Sequence, residues 1–378
     1  MARPRVTRLL SWALAIAALL FVAWVVPVRD RCWDARAPRT TKVAVTHEAA
    51  APGQQGPGAC VLHLPSGDVA IAGAECAQLK CEPGVASALG HARAGIVAAL
   101  LILYALSMLA WAARWRALLD FADIELSLGE VWRVSVEAQA GGILLPGGLG
   151  GDALRIAAVV SKPTRSGTPA PATLVVASVM LDRAVGLGVM AGLAAGLGFA
   201  FGGVNPGPLA FVLGAIPLSL LLGLAVLRVA PLERVGWLVR GRLGKVASPV
   251  LAYVRDPRAL RAIALAVALS VIVSGVQLGI IRGLVFSLGE APLSEKWIFV
   301  GTAMAFIVSA VPALPGGWGT ADAAYVFFFG LAGLPVAAAL AVCLIYRVFW
   351  YLSGVAGAAL YLARRRPPSS PPQASSAP

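Results

Sequence analysis

Five stretches of this chain are almost unbroken runs of apolar residues: Leu10–Val26, Gly95–Ala113, Ala184–Gly203, Pro208–Leu227 and Ala262–Ile281. Each is about the length needed to cross a bilayer as a helix. A sixth, Pro335–Leu362, is longer and carries Arg347. The pattern predicts about six full transmembrane helices. Two more apolar stretches, Val131–Val160 and Trp297–Phe329, are interrupted by the same kind of hexapeptide. The first is Leu145-Pro146-Gly147-Gly148-Leu149-Gly150, the second Leu314-Pro315-Gly316-Gly317-Trp318-Gly319. Proline and paired glycines break a helix, so each stretch reads as two short helices around a turn. The second helix of each restarts over Gly150–Val160 and Thr320–Phe329. Each carries an aspartate in its first turn, Asp152 and Asp322.

Composition agrees on the solvent. Hydrophobic residues make up 59% of the chain and charged residues 13%, against roughly a quarter charged in soluble domains. The mean hydropathy of +0.81 fits an all-α polytopic membrane protein. The net charge of +13 is spread in clusters that flank the apolar runs: Arg3, Arg5 and Arg8; Arg114 and Arg116; Lys162 and Arg165; Arg228 to Arg261; Arg364 to Arg366. That is the positive-inside pattern. It explains the charge without nucleic acid, for which no recognition motif is present.

With the N-terminus in the cytoplasm, the first helix acts as an uncleaved anchor and exports the stretch from about Arg29 to His91. Parity then makes the first broken hairpin begin and end inside and the second begin and end outside. Two broken hairpins entering from opposite faces form an inverted-topology pair, which points to a site near mid-membrane. Re-entrant hairpins and pairs of short full spans give the same parity.

Few charges fall within the apolar belt: Asp152, Arg155, Asp182, Arg183, Asp322 and Arg347, with Arg282 near a helix end. A charge at mid-depth is costly unless paired, so these are either structural ion pairs or a ligand site. Asp152 and Arg155 are three apart and share a helical face, where they could pair. Asp182 and Arg183 are adjacent and point to different partners. Asp182 is the least secure, since its helix is expected to begin near Ala184. The helix starts after the glycine turns offer backbone N–H groups and a positive dipole end, suited to a phosphate. An acidic helix cap is the plainer alternative for Asp152 and Asp322.

Cys32, Cys60, Cys76 and Cys81 fall in the exported stretch, and Cys343 stands alone in the last helix. In an oxidising compartment the four suggest two disulfides, with three possible pairings. Cys60-x-x-His63 with Cys76 and Cys81 is a passable zinc alternative. Cys60–Leu64 and Val69–Gly73 flank Pro65-Ser66-Gly67-Asp68 and read as a small hairpin. No phosphate-binding loop, His-Glu-x-x-His or Gly-x-Ser-x-Gly motif occurs, and the belt holds no histidine. Neither ATP-driven transport nor catalysis is expected, and no cofactor is implied.

Three groups of residues carry a resemblance. They are Ala113-Arg114-Trp115-Arg116-Ala117-Leu118-Leu119; then Leu144 to Asp152 with Arg155; then Leu181-Asp182-Arg183. With Val311 to Gly319 and Tyr346-Arg347 they resemble the flippase-like family of the lysylphosphatidylglycerol synthase transmembrane region, over roughly Arg93 to Leu362. The resemblance implies a bacterial inner-membrane protein that handles lipids or lipid-linked precursors. Asp322 departs from the glutamate usual in that family. No synthase domain is expected after Arg366, where Pro367–Pro378 reads as a disordered cytoplasmic tail.

The expected layout is an anchor over residues 1–28, an external cysteine loop over 29–92 and a transmembrane core over 93–366. The expected function is binding and translocation of an anionic phospholipid or polyprenyl phosphate by the residues of the two turns and their charges. The alternative is a non-transporting accessory protein that presents a lipid-linked precursor to an envelope enzyme.

Overall fold

The computed structural model describes residue 20, five strands between residues 31 and 82, and residues 84–144, 149–160, 162–165, 167–202, 214–222, 256–310 and 318–364. Of the strands it describes the backbone alone. The first apolar run, apart from Leu20, and both Pro-Gly-Gly turns (Pro146, Gly147 and Gly148; Pro315, Gly316 and Gly317) lie outside the described residues.

The stretch between the first two apolar runs corrects the all-α expectation. It forms a five-stranded sheet of β1 (Arg31–Asp34), β2 (Val43–His47), β3 (Cys60–Leu64), β4 (Gly67–Ile71) and β5 (Leu79–Glu82). The order is β4-β3-β2-β1-β5, and every pairing is antiparallel. The expected hairpin is there, with its second strand starting two residues earlier, at Gly67. It fell short as a prediction because one hairpin is marginal alone, and three or more strands make a stable sheet. The side chains of Cys32, Cys60 and Cys81, and all of Cys76, lie outside the described residues, so the expected disulfides stand on the sequence alone.

A short helix α1 (Val85–Gly90) leads into α2 (Ala94–Phe121), α3 (Leu128–Leu144), α4 (Leu149–Val160) and α5 (Ala172–Gly202). After a short helix α6 (214–222) come α7 (Pro257–Ser287), α8 (Glu295–Ala310), α9 (Thr320–Leu331) and α10 (Val336–Arg364). Among the described residues four helices are long and apolar enough to cross a membrane: α2, α5, α7 and α10. Their outer faces carry large apolar side chains such as Ile102, Leu106, Ile272 and Val355, each more than half exposed. Such a surface is stable only against lipid or another apolar partner. The expected span over Pro208–Leu227 is described only as α6, so the count of six full spans is not reached here.

The helix order is long, short, short, long, stated twice: α2-α3-α4-α5 and α7-α8-α9-α10. The packing follows the repeat. The two leading helices, α2 and α7, lie against each other. Each short pair packs within itself, α3 on α4 and α8 on α9. The first helix of each pair then packs on the closing helix of the other quartet, α3 on α10 and α8 on α5. The two hairpins are thus exchanged between the halves, and the site forms where they meet.

Small residues permit that closeness. A Cβ at Gly141 would stand 2.7 Å from the Gly150 carbonyl oxygen, and one at Gly151 would stand 2.8 Å from that of Ala138. These glycines let the α3 and α4 backbones touch, which gives Gly141 and Gly151 a packing role. On α10, a Cβ at Gly357 would collide with the Val136 carbonyl of α3. Close approach through small residues is the usual basis of helix association in lipid, where apolar burial alone contributes little.

A cavity shared by two charge clusters

The first cluster is built on α5. This helix begins at Ala172, ten residues before Asp182. Asp182 and Arg183 are therefore well inside it, which corrects the expected start near Ala184. Asp182 is buried and accepts from Arg114 Nε at 2.6 Å and Nη2 at 3.0 Å. It also accepts from Arg155 Nη1 at 3.2 Å. One carboxylate thus ties α2, α4 and α5 together. Such charge-assisted bonds are the strong ones, and the two-pronged Arg114 contact fixes orientation as well. Gly186 makes room for the Arg114 guanidinium, since a Cβ there would lie 2.8 Å from Nη1.

Asp152 and Arg155 do not pair with each other as helical spacing suggested. Asp152 faces Arg183 of α5 at 2.5 Å, and Arg155 takes Asp182. Local spacing permits the pair, but an arginine and an aspartate on α5 offer better partners. Arg155 is 2% exposed and lies between two indole rings. Its guanidinium carbon is 4.2 Å from the Trp111 ring centre and 4.6 Å from that of Trp115. A desolvated guanidinium between aromatic faces is held by their quadrupoles. Its Nε and Nη2 make no hydrogen bond among the described residues.

The second cluster joins α9 to α10. Asp322 is buried in the first turn of α9. Its Oδ2 accepts from the backbone N–H of Gly319 at 2.8 Å, where φ is +79° and a side chain would be strained. Its Oδ1 accepts from Arg347 Nη2 at 2.6 Å and from the Cys343 thiol at 2.9 Å. The helix-cap and ion-pair readings of Asp322 are therefore both right, one for each oxygen. Arg347 also lies 4.1 Å from the Trp318 ring centre. The two halves echo each other: a first-turn aspartate on the short helix meets an arginine on the long helix that follows, Asp152 with Arg183 and Asp322 with Arg347.

Both clusters line one cavity of about 350 Å³. Arg114, Asp152, Arg155, Asp182 and Arg183 face it from the first half, and Tyr325, Cys343, Tyr346 and Arg347 from the second. Tyr104 and Phe306 complete an aromatic side by meeting Tyr346 edge-on. Gln139 of α3 accepts from the Trp350 indole N–H of α10 at 2.9 Å across the exchanged hairpin contact.

Residues 84–357 match the family described as the lysylphosphatidylglycerol synthase TM region. The chain belongs to that family. The match begins two residues after β5 and takes in every helix from α1 to most of α10, so the five-stranded sheet stands outside it. No curated protein matches the chain.

Within this lysylphosphatidylglycerol synthase TM region, the structure brings Asp152, Arg155, Asp182, Arg183 and Arg347 to one cavity, with Asp322 bonded just behind. Gly150 and Gly319 sit at the starts of α4 and α9. Arg114, Trp111 and Trp115 were missed as site residues. Arg114 was read as part of a cytoplasmic cluster because the apolar run stops at Ala113. A signal was present: the helical pattern continues through Leu118 and Leu119, which keeps Arg114 inside the span. Arg282, by contrast, pairs with Glu295 of α8 at 2.7 Å, outside this cavity.

Proposed function

We propose that this chain binds the phosphate-bearing headgroup of a lipid in the cavity and moves that lipid across a bacterial inner membrane. One observation carries the reading: a single cavity between the exchanged hairpins is lined by four arginines, one of which keeps two buried N–H donors unmet. Intramembrane charges facing a cavity mark substrate paths more often than structural glue. The hairpins, exchanged between two quartets of the same order, suit alternating exposure of a central site. The reading puts both termini in the cytoplasm, which the basic clusters flanking the apolar runs support.

The role of each residue follows from its contacts. Arg155 meets the phosphate, and Arg183 and Arg347 line the approach from either half. Asp182 and Asp322 hold arginines in place. The test is reconstitution of the full chain into liposomes with fluorescent lipid analogues. Faster transbilayer movement than in protein-free vesicles, slowed at least tenfold by Arg155→Ala, is the expected result. No acceleration of any phosphate-bearing lipid sinks the proposal.

A second reading rests on the sheet. It lies outside the family match and is large enough to offer a docking face. In that reading the chain presents a lipid-linked precursor to an envelope enzyme. Stable capture of such an enzyme, lost when residues 29–83 are deleted and without lipid movement, would select it.

A further inference from the structure

The register of the five strands sorts their residues into two unlike faces. Successive residues of a strand belong to opposite faces. One face has Val45, Leu62 and Val69 as neighbours across β2, β3 and β4. Val43, Leu64, Ile71 and Leu79 share that face, as do Cys32 and Cys81, direct partners on β1 and β5. Its charged or titrating exceptions are Asp34 and His47, each the last residue of its strand. The opposite face has Arg31 with Glu82 and His63 with Asp68 as direct partners, and holds Trp33, Thr46 and Lys80. Opposite charges on neighbouring strands suit a face in water. The Val-Leu face does not.

A sheet that is apolar on one side needs a second layer. Among the described residues, no strand has more than marginal contact with a helix. The next helix in the chain, α1, puts Val85 and Ala88 into the helical core instead. The residues between the strands supply no large apolar side chain to close a core. Residues 35–42, 48–59 and 72–78, with Pro65 and Ser66, contain no Val, Leu, Ile, Met, Phe, Tyr or Trp. The layer therefore has to come from outside this stretch.

We infer that this layer is the same face of a second copy of the chain, so that two sheets stack into a sandwich through their Val-Leu rows. Rows of Val and Leu are complementary to themselves, as a two-fold interface requires, and interdigitate in stacked sheets about 10 Å apart. Charge permits the approach. The whole chain carries +13, but between Arg31 and Glu82 five basic residues (Arg31, Arg36, Arg39, Lys42, Lys80) balance five acidic ones (Asp34, Glu48, Asp68, Glu75, Glu82). Two copies do not repel each other there. A lipid surface is the weaker fit, because faces that lie on membranes carry Trp, Tyr, Lys or Arg around their apolar patch. Here Trp33, Arg31 and Lys80 fall on the other face. Five short strands make a face of roughly 400 Å², about half of what each partner of a free-standing complex buries. Two copies confined to one membrane meet at a high effective concentration, so the pairing belongs to the membrane and weakens in detergent. It is independent of lipid binding and of transport.

The test uses the full chain carrying either of two affinity tags, with a photoreactive benzophenone amino acid in place of Leu62. It is illuminated in liposomes that contain this protein alone and in the membranes of the producing cells. The expected product is a covalent pair bearing both tags, at least fivefold more abundant than from the same amino acid in place of Val61, on the other face. Adding Val69→Lys, which charges the apolar face, should lower that yield at least fivefold. Adding Ala70→Lys, its neighbour on the polar face, should leave it unchanged. If the benzophenone at position 62 prevents folding, the same residue in place of Val45 gives the readout. Equal yields from positions 62 and 61, or a pair that survives Val69→Lys, overturn the inference. Products with lipid in place of a second copy overturn it and assign the face to the membrane surface. Products in cells with a different protein, and none between copies, overturn it in favour of an enzyme partner.

Discussion

Arg114 and Asp182 lie 68 residues apart in the chain and meet through two hydrogen bonds, at 2.6 and 3.0 Å, in a buried position. The same carboxylate takes Arg155 from a third helix. Removing one partner of a buried ion pair leaves the other charge uncompensated, at a cost of about 3–5 kcal/mol. Asp182→Ala leaves two such arginines. It should cost at least that much in thermal or denaturant unfolding of the detergent-solubilised chain. Arg114→Gln should cost less, because Asp182 keeps Arg155. Equal and small losses in both would show that the cluster does not hold α2, α4 and α5 together.

The two oxygens of Asp322 can be separated by mutation. Asp322→Asn keeps an oxygen for the Gly319 N–H and loses the charge opposite Arg347. Asp322→Ala loses both. The alanine variant should be less stable than the asparagine variant by about 1 kcal/mol, the usual worth of a helix cap. Both should lose lipid movement, since Arg347 is released in each. Identical stabilities would remove the capping role.

Gly186 and Gly275 make a matched pair of helical glycines. A methyl group at Gly186 meets Arg114 at 2.8 Å, and one at Gly275 meets nothing within 4 Å. Gly186→Ala should therefore destabilise by about 1–3 kcal/mol through overpacking and disturb the Arg114–Asp182 contact. Gly275→Ala should be neutral or stabilise by up to about 1 kcal/mol through helix propensity. Unfolding midpoints of the two variants decide the matter.

The proposed inverted arrangement of the hairpins has its own check. Single cysteines at Arg165, after α4, and at Ser294, before α8, should react with an impermeant thiol reagent from opposite sides of the membrane. The native cysteines are first replaced by serine. Same-side labelling ends the inverted-repeat argument and, with it, the alternating-exposure scheme.

The sheet order narrows the cysteine pairing. Neighbouring strands are about 4.8 Å apart, and a disulfide spans at most about 7 Å between Cα atoms. Cys32 and Cys81 are direct partners in the β1–β5 register. Cys60 is on β3, two strands from β1 and three from β5, so about 10 and 14 Å away. Of the three pairings only Cys32 with Cys81 and Cys60 with Cys76 survives. Peptide mapping of the oxidised protein by mass spectrometry should find the Cys32–Cys81 link. A Cys32–Cys60 or Cys60–Cys81 link would disprove the strand order.

Much of the architecture could be read from the sequence because lipid imposes simple demands. A spanning segment must satisfy its own backbone and present apolar side chains, so α2, α5, α7 and α10 stand out as runs. The short helices α4 and α9 were legible from the glycine turns before them. The sheet was not, because strands of four or five residues carry a weak pattern and only the β3–β4 hairpin has a local turn signal. Within the site, the charged residues of the apolar belt were visible through their cost. Their partners were not. Helical spacing favoured Asp152 with Arg155, and the fold set Arg183 and Asp182 in their place.

By itself, then, the sequence determined that this chain spans a membrane, that two glycine-broken hairpins interrupt it, and that a handful of charges must be satisfied inside. Those outcomes follow from solvation, which acts residue by residue. Only the tertiary structure decided that the hairpins are exchanged between two quartets, that Arg114 joins the site, and that Arg155 is buried between Asp182 and two indole rings. Those depend on which helices touch, and contacts between residues dozens of positions apart leave no periodic trace in the chain.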